Sequence, residues 1–496
     1  MEITSLFKLN YISYGVFSIY ITCLIIIFLY SLSQLNMLRY FLCYLNQKTE
    51  EPQIPKKLPK ITIQLPIYNE YYVIKRLLKC ITALQYPHSL LQIQVLDDST
   101  DESLEITRQL VLKYQKKGIP IELMTRADRK GFKAGALKYG LTKATGEFIA
   151  IFDSDFLPKS DWLLKTISHF KDPKIGVVQT RWGHINREYS ILTKVQAFAL
   201  DAHFILEQVG RNQQKHFINF NGTAGIWRKA CIVDAGNWQG DTLTEDLDLS
   251  YRAQLKDWEF NYLVDVVTPA ELPITINAIR SQQFRWNKGG AENFRKFISR
   301  VLFTKDLSIG VKIDAFFHLL SSTMFLNILI VSLISVPLLY IKAARPELSL
   351  PFNLSSLFII STIVFFSCYW FVHKYIFGGG IRSFFSYVKR FVNFYILLMG
   401  FSIHNSIAVI EGLIGKKSSF IRTPKFNQSD IETNKYSVKK ISIYSLVELF
   451  LAFYFLFGIY ASFKVVPEGD FGLFLFHIAL FIGFSSISYH GLKQSI

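Results

Sequence analysis

Cysteine is scarce in this chain, five among 496 residues. No pair has CxxC spacing, so the cysteines build no disulfide framework. Cys23, Cys43 and Cys368 lie in or beside apolar stretches, Cys80 and Cys231 stand alone, and all five read as structural. Charge is also sparse, at 19% of residues against about 25% in an ordinary globular chain. Half of the residues are hydrophobic, which excludes disorder. The charge present is unbalanced: 55 Lys and Arg against 38 Asp and Glu give a net charge of +17. That balance does not describe a nucleic-acid binder, because the apolar residues come in long blocks and the basic residues flank them. It describes loops beside membrane spans, some of them against anionic headgroups.

No charged residue occurs between Lys8 and Arg39. A span needs about 20 apolar residues, and this run has no small-residue cleavage site, so it reads as an anchor rather than a removed signal. Further apolar runs at 315–341, 348–372, 441–463 and 471–492 read as spans. The segment 391–410 reads as interfacial or re-entrant, because crossing there would put Lys416, Lys417, Arg422, Lys425, Lys435, Lys439 and Lys440 outside. Basic residues in 285–312 and 416–440 are expected against lipid headgroups. The same charge rule puts the amino terminus outside and residue 39 onward inside. The expected organisation is an anchor and linker (1–54), a soluble block (55–300) and a membrane region (301–496).

The soluble block alternates β-rich runs at 60–66, 92–96, 119–124 and 147–152 with helical spacing at 70–84, 104–114 and 133–143. Such alternation implies a mostly parallel sheet, which binds ligands at the carboxyl ends of its strands. Asp97-Asp98 and Asp153-Ser154-Asp155 both fall at such ends and should converge on one crevice.

Each candidate residue has two readings. Asp153 and Asp155 can share a divalent ion or cap a polar loop. Asp97 and Asp98 can accept the imide N–H of a nucleobase or form an Asx turn before a helix. Tyr68 can stack on the same nucleoside. Arg126, Arg129 and Lys133 surround Gly131 before a helix, as a phosphate site or a solvated loop. In Thr244-Glu245-Asp246, Asp246 can act as a general base, or Thr244 or Asp241 can merely cap the helix that follows. Gln282 and Arg285, three apart on a helix, can hold a diphosphate, and Trp286 can face a sugar ring. The alternative for these three is an amphipathic helix near the bilayer.

The order Asp98, Asp153-x-Asp155, Thr244-Glu245-Asp246 and Gln282-x-x-Arg285-Trp286, followed by spans, resembles the inverting family 2 glycosyltransferases of the cellulose synthase superfamily. The strings 220–228, 234–238 and 420–425 resemble its cellulose synthase-like mannan and glucan synthases. The absence of long insertions and of a cyclic-nucleotide module sets the chain apart from plant cellulose synthase and the large bacterial synthase.

The resemblance implies an α/β GT-A type glycosyltransferase domain between an N-terminal transmembrane helix and a C-terminal helical transmembrane region. It implies transfer of a hexose from UDP-glucose or GDP-mannose, with Mg²⁺ or Mn²⁺, to a growing β-linked polysaccharide. A glycolipid acceptor is the alternative. Tyr68, Asp97, Asp98, Arg129, Lys133, Asp153, Gln282 and Arg285 would bind the donor, and Asp153 and Asp155 the metal. Asp246 would be the base, with Glu245 beside it in the catalytic motif. Asn221, Gly222, Thr223 and Trp286 would meet the acceptor. The expected setting is a cytoplasmic catalytic domain on a multi-pass membrane protein, with accessory secretion subunits among the partners it allows. The compact form favours a bacterial inner membrane, with a Golgi membrane as the alternative.

Overall fold

The computed structural model describes residues 10–47, 53–418, 421–423, 425 and 442–493. Seven strands form one sheet: β1 (Ile61–Ile67), β2 (Leu91–Asp97), β3 (Ile121–Met124), β4 (Phe148–Ile151), β5 (Ile175–His184), β6 (Gly225–Arg228) and β7 (Glu259–Ala270). Their spatial order is β3-β2-β1-β4-β6-β5-β7. The first four are parallel neighbours, as expected. β6 runs antiparallel to both β4 and β5, and β7 returns parallel to β5. The reversal has a consequence for the site. The start of β6 meets the end of β4, with Gly225 opposite Ile151, so the loop before β6 reaches the same sheet edge as the loops after β1, β2 and β4.

Helices cover both faces of the sheet, which explains the near-continuous burial of its short strands. In the helix Ile74–Ile81 the residues Ile74, Leu77, Leu78 and Ile81 follow helical spacing and are all buried. They pack with Ile61, Ile63, Leu65 and Trp162 on one face. Leu137 and Leu141 of the helix Phe132–Lys143 pack with Ile149, Ile151, Val177 and Trp227 on the other. Each such side chain contributes roughly 1.5–3 kcal/mol, and both faces being filled leaves the loop-bearing edge for ligands.

Among the described residues five helical stretches are long and apolar enough to cross a membrane: Tyr11–Leu45, Ile309–Ala344, Pro346–Phe377, Ile443–Lys464 and Phe474–Lys493. They coincide with the expected anchor and four spans. The 391–410 segment falls in a bent pair, Ile381–Gly400 and Ser402–Leu413, which meet at 55°. The second half of the pair rests on the long helix Ile276–Phe303. Asn405 Nδ2 donates to Gln283 Oε1 at 2.8 Å, and the fully buried Lys288 pairs with Glu411 at 3.0 Å. About two turns before Lys288, Arg280 pairs with Glu448 of Ile443–Lys464 at 2.5 Å. Breaking a buried pair costs about 3–5 kcal/mol, so these contacts fix the long helix in register on the membrane region.

Several basic residues expected against lipid therefore face protein instead. Lys288 meets Glu411, Lys296 meets Asp241 and Asp248, Arg422 meets Glu70, and Lys425 meets Asp155. Lys435, Lys439 and Lys440 lie outside the described residues. The five cysteines are free thiols, three of them buried.

Candidate functional site

One cleft opens along the loop-bearing edge of the sheet. In sheet order it is lined by Asp98 after β2, Tyr68 after β1, Asp153 and Asp155 after β4, and Asn221 and Gly222 before β6. Arg129 and Lys133, Glu245 and Asp246, and Gln282, Arg285 and Trp286 complete it. The convergence expected of the acidic clusters is thus present. Asp97, Arg126 and Thr223 are the expected site residues that do not line the cleft.

The difference between Asp97 and Asp98 is local. Asp97 is buried at the end of β2, and its Oδ1 accepts the Ser99 N–H at 2.8 Å. Burial raises the pKa of its carboxyl, with Ser99 acting in the opposite direction. The Asx-turn reading describes this residue. Asp98 faces the cleft, but not as a lone carboxylate. Arg126 Nε donates to its Oδ1 at 3.0 Å, and Arg126 Nη2 donates to its Oδ2. Arg126 also donates to the carbonyls of Lys130 and Phe132, both at 3.0 Å. Read from the sequence as a phosphate candidate, Arg126 is the clamp on Asp98. Arg129 lies over the Tyr68 ring, 3.3 Å from its centroid, a cation–π contact.

At the centre, Lys133 Nζ donates to Asp153 Oδ1 at 2.6 Å and to the Gly222 carbonyl at 2.8 Å. Thr223 supports this from behind, its Oγ1 accepting the Asp153 N–H at 2.9 Å. Asp155 is paired with Lys425, which also donates to Ser154 Oγ at 3.3 Å. Burial acts to lower the Lys425 pKa, but Asp155, Glu70 and Asp153 hold it above the ordinary lysine value. Arg422 clamps Glu70 through Nε at 3.2 Å and Nη2 at 2.6 Å. The sequence places the string 420–425 at the lipid surface, and the fold places its Arg422 and Lys425 on the cleft. Its partners lie 270 and 352 residues away, and only the fold pairs them.

Asp153 and Asp155 fit a hard divalent cation. They are oxygen donors on one turn, and in this state each already holds a positive charge. Among the described residues no third carboxylate, histidine or cysteine joins them in a metal-binding group. That suits Mg²⁺ or Mn²⁺ held by one or two carboxylates with substrate phosphates supplying the rest.

Asp246 sits in the first turn of the helix Glu245–Gln254, where its Oδ1 accepts the Leu247 N–H at 2.9 Å. Gly222, at φ +78°, lets the facing loop approach it: a Cβ there would stand 2.9 Å from Asp246 Oδ2. Burial, then the charge of Glu245, push the Asp246 carboxyl up to about 7, against the pull of Lys133. A carboxylate tuned to that range is suited to general-base work near neutral pH.

Asn221 is held from behind. Gln208 Nε2 donates to its Oδ1 at 2.8 Å, and its Nδ2 meets His203 Nε2 at 3.0 Å. His203 lies in a π-helical turn, Ala202–Glu207, a distortion common at functional sites.

The residues that fix the Thr244-Glu245-Asp246 turn are not among the sequence candidates. Asn293 Nδ2 donates to Thr244 Oγ1 and to the Gly289 carbonyl, both at 2.9 Å. Glu292 accepts the Leu243 N–H at 2.8 Å. A Cβ on Gly289 would stand 2.5 Å from Thr244 Oγ1. The available signal was spacing: the face carrying Gln282, Arg285 and Trp286 continues through Gly289 and Asn293.

A family model described as glycosyltransferase like family 2 matches residues 59–289. The probable glucomannan 4-beta-mannosyltransferase 4 of Oryza sativa subsp. japonica is 41% identical over 305 residues, 59% of this chain and 54% of that one. Glucomannan 4-beta-mannosyltransferase 9 of Arabidopsis thaliana is 32% identical over 447 residues, 86% of this chain and 81% of that one. The chain thus spans about half the length of the first relative, 54%, and most of the second, 81%. A mannosyltransferase from Pyrobaculum calidifontis, solved with GDP-Man and Mn²⁺, shares the fold at 17% identity, over 81% of this chain and 100% of that one, with a TM-score of 0.53.

Proposed function

The chain belongs to glycosyltransferase family 2, among its cellulose synthase-like members, and on that premise we propose that it transfers mannose from GDP-mannose to the growing end of a β-1,4-linked polysaccharide. The observation that carries the reading is Asp246. It is a carboxylate pushed up to about 7, facing Gly222 in the cleft that Asp153, Gln282 and Arg285 also line. The names of the plant relatives support mannose over glucose and the 4-position as acceptor.

In this reading Tyr68, Asp98 and Arg129 hold the nucleoside end. Lys133, Gln282 and Arg285 hold the diphosphate through charge-assisted hydrogen bonds. Asp153 and Asp155 hold a divalent cation, which when bound neutralises the diphosphate leaving group. Trp286 and the Asn221-Gly222-Thr223 loop orient the acceptor. Asp246 takes the proton from the acceptor hydroxyl as its oxygen bonds to C1 of the mannosyl group. The C1–O bond to the diphosphate breaks, GDP leaves with that electron pair, and the anomeric centre inverts. The cleft is cytoplasmic, on a multi-pass protein of a bacterial inner membrane or a Golgi membrane.

The test is incubation of membranes holding the protein with a panel of labelled sugar nucleotides, followed by linkage analysis. Label from GDP-mannose in a 4-linked β-polymer is expected. Label from UDP-glucose alone would replace the sugar. A product of one or two sugars on lipid would replace the polymer with a glycolipid. No transfer from any donor overturns the reading.

A further inference from the structure

Asp246, Ser250 and Gln254 stand four residues apart and so form one stripe along the helix Glu245–Gln254. The backbone of Gly222, Phe220 and Ile218 follows that stripe in the opposite direction. At the first rung Gly222 faces Asp246, where a Cβ would stand 2.9 Å from Asp246 Oδ2. At the second, the Phe220 N–H donates to Ser250 Oγ at 2.9 Å, and the same hydroxyl donates to the Asp246 carbonyl at 2.6 Å. At the third, Gln254 Oε1 accepts the Ile218 N–H at 3.0 Å, and its Nε2 donates to the Ile218 carbonyl at 2.7 Å. Gln254 Nε2 also donates to the Ser250 carbonyl at 3.0 Å, which ties the third rung to the second. Ile218, Phe220, Ser250 and Gln254 are all buried.

The rungs coincide because two periods coincide. Four helical residues rise about 6.0 Å, and two residues of extended chain rise about 6.6 Å. The residues between the rungs turn the other way, as alternate residues of an extended chain do. Gln208 Nε2 donates to the Asn219 carbonyl at 2.8 Å, and Gln179 Oε1 accepts the Asn221 N–H at 3.1 Å. A slip by two residues would bring Phe220 or Ala224 to Asp246, where a Cβ has no room. Ser250 and Gln254 do not line the cleft. They can act on a ligand only through what they hold, and Ser250 holds both the peptide of Asp246 and the segment leading to Asn221.

We propose that Ser250 and Gln254 are positioning residues for the transfer step, which set the register of the 218–222 segment on the helix and so the gap between Asp246 and the loop that meets the acceptor. This rests on the transferase reading above, with Asp246 as the base. A general base works only within about 2.6–3.2 Å of the proton-bearing atom, so a loosened rung slows proton transfer before it weakens binding.

The experiment uses the full-length protein in detergent, with β-1,4-mannotriose as acceptor and GDP-mannose as donor, or UDP-glucose if the donor panel selects it. Turnover is counted per donor-binding site, so that unfolded protein does not enter the rate. Ser250→Ala is expected to lower kcat about five- to tenfold, the scale of one lost hydrogen bond, with the donor Kd unchanged. Gln254→Met keeps the length of the side chain and removes the third rung. It is the second variant, should the first fail to fold, and the same direction is expected. Each is then combined with Asp246→Asn. No base remains there to be placed, so the added substitution should cost little further. An unchanged kcat with Asp246 present, or the same loss in both backgrounds, overturns the positioning role and leaves the transferase reading intact. Full kcat in Asp246→Asn alone overturns the base assignment on which the proposal rests. A wild-type protein that transfers from no sugar nucleotide overturns both.

Discussion

The two ends of the cleft are built on different principles. At the donor end every acid has a cation: Asp98 has Arg126, Asp153 has Lys133, Asp155 has Lys425 and Glu70 has Arg422. At the end proposed for the acceptor the wall is aromatic, with Trp182 packed against Phe156 and Phe204. In the proposed reading donor binding is an exchange of ionic partners, in which diphosphate and cation replace contacts already made. Acceptor binding adds contacts that did not exist. The first arrangement keeps charges paired at every stage, since an isolated buried charge is costly. The second makes affinity depend on the fit of a neutral ring.

Four perturbations bear on that contrast. The largest effect is expected from removing divalent ions. Turnover should fall to background in excess EDTA, because Asp153 and Asp155 would then face the diphosphate without the charge that reconciles them. Binding of mannotriose, followed by titration, should survive. Loss of both would show that the two ends are not independent.

Next is Asp246→Asn, which should lower kcat by about 10²- to 10⁴-fold, the usual worth of a general base, with the donor Kd nearly unchanged. The pH profile carries the sign. Asp246 accepts a proton only when ionised, and its carboxyl sits at about 7. The rate should therefore fall as pH drops below about 7 rather than near 4. Glu245→Gln removes a charge that raises this pKa, so it should move the acid limb to lower pH. A limb that stays in place would remove Asp246 from the base role. Smaller again is Arg126→Ala. It leaves Asp98 nearly buried, at 7% side-chain exposure, without its cation. The donor KM should rise about tenfold or more, each factor of ten being about 1.4 kcal/mol. The acceptor KM should not follow, because Arg126 touches only the donor end.

The same division marks what the amino-acid sequence makes legible. The donor half reads well because β1, β2 and β4 are short apolar runs, with Pro66 near the end of the first and Asp97-Asp98 and Asp153-Ser154-Asp155 at or just beyond the ends of the others, each with a helix after it. The acceptor half reads poorly. β6 has four residues and runs against its neighbours, which no local pattern announces. The last residues of β5 are only partly buried, so Trp182 and His184 show no clean alternation. Motif residues such as Gln282, Arg285 and Asp246 are visible because their spacing is itself a signal. Arg422 and Lys425 were misplaced for a physical reason: a basic side chain near a span satisfies a lipid phosphate or a carboxylate equally well, and sequence does not record which is nearer.

The long helix Ile276–Phe303 belongs to both ends, and the smallest expected effect tests how it joins them. It presents Gln282, Arg285 and Trp286 to the cleft and then fixes the Thr244-Glu245-Asp246 turn through Asn293. Asn293→Ala removes one hydrogen bond to Thr244 and leaves the close approach at Gly289 in place. Neither donor nor acceptor touches Asn293, so both KM values should hold while kcat falls about fivefold, the worth of roughly 1 kcal/mol in positioning. The acid limb near 7 should also persist, since the surroundings of Asp246 are kept. If kcat is unchanged, the catalytic turn is held by its own helix start. If the donor KM rises instead, the helix couples the turn to the diphosphate grip, and the two ends of the cleft are one mechanical unit.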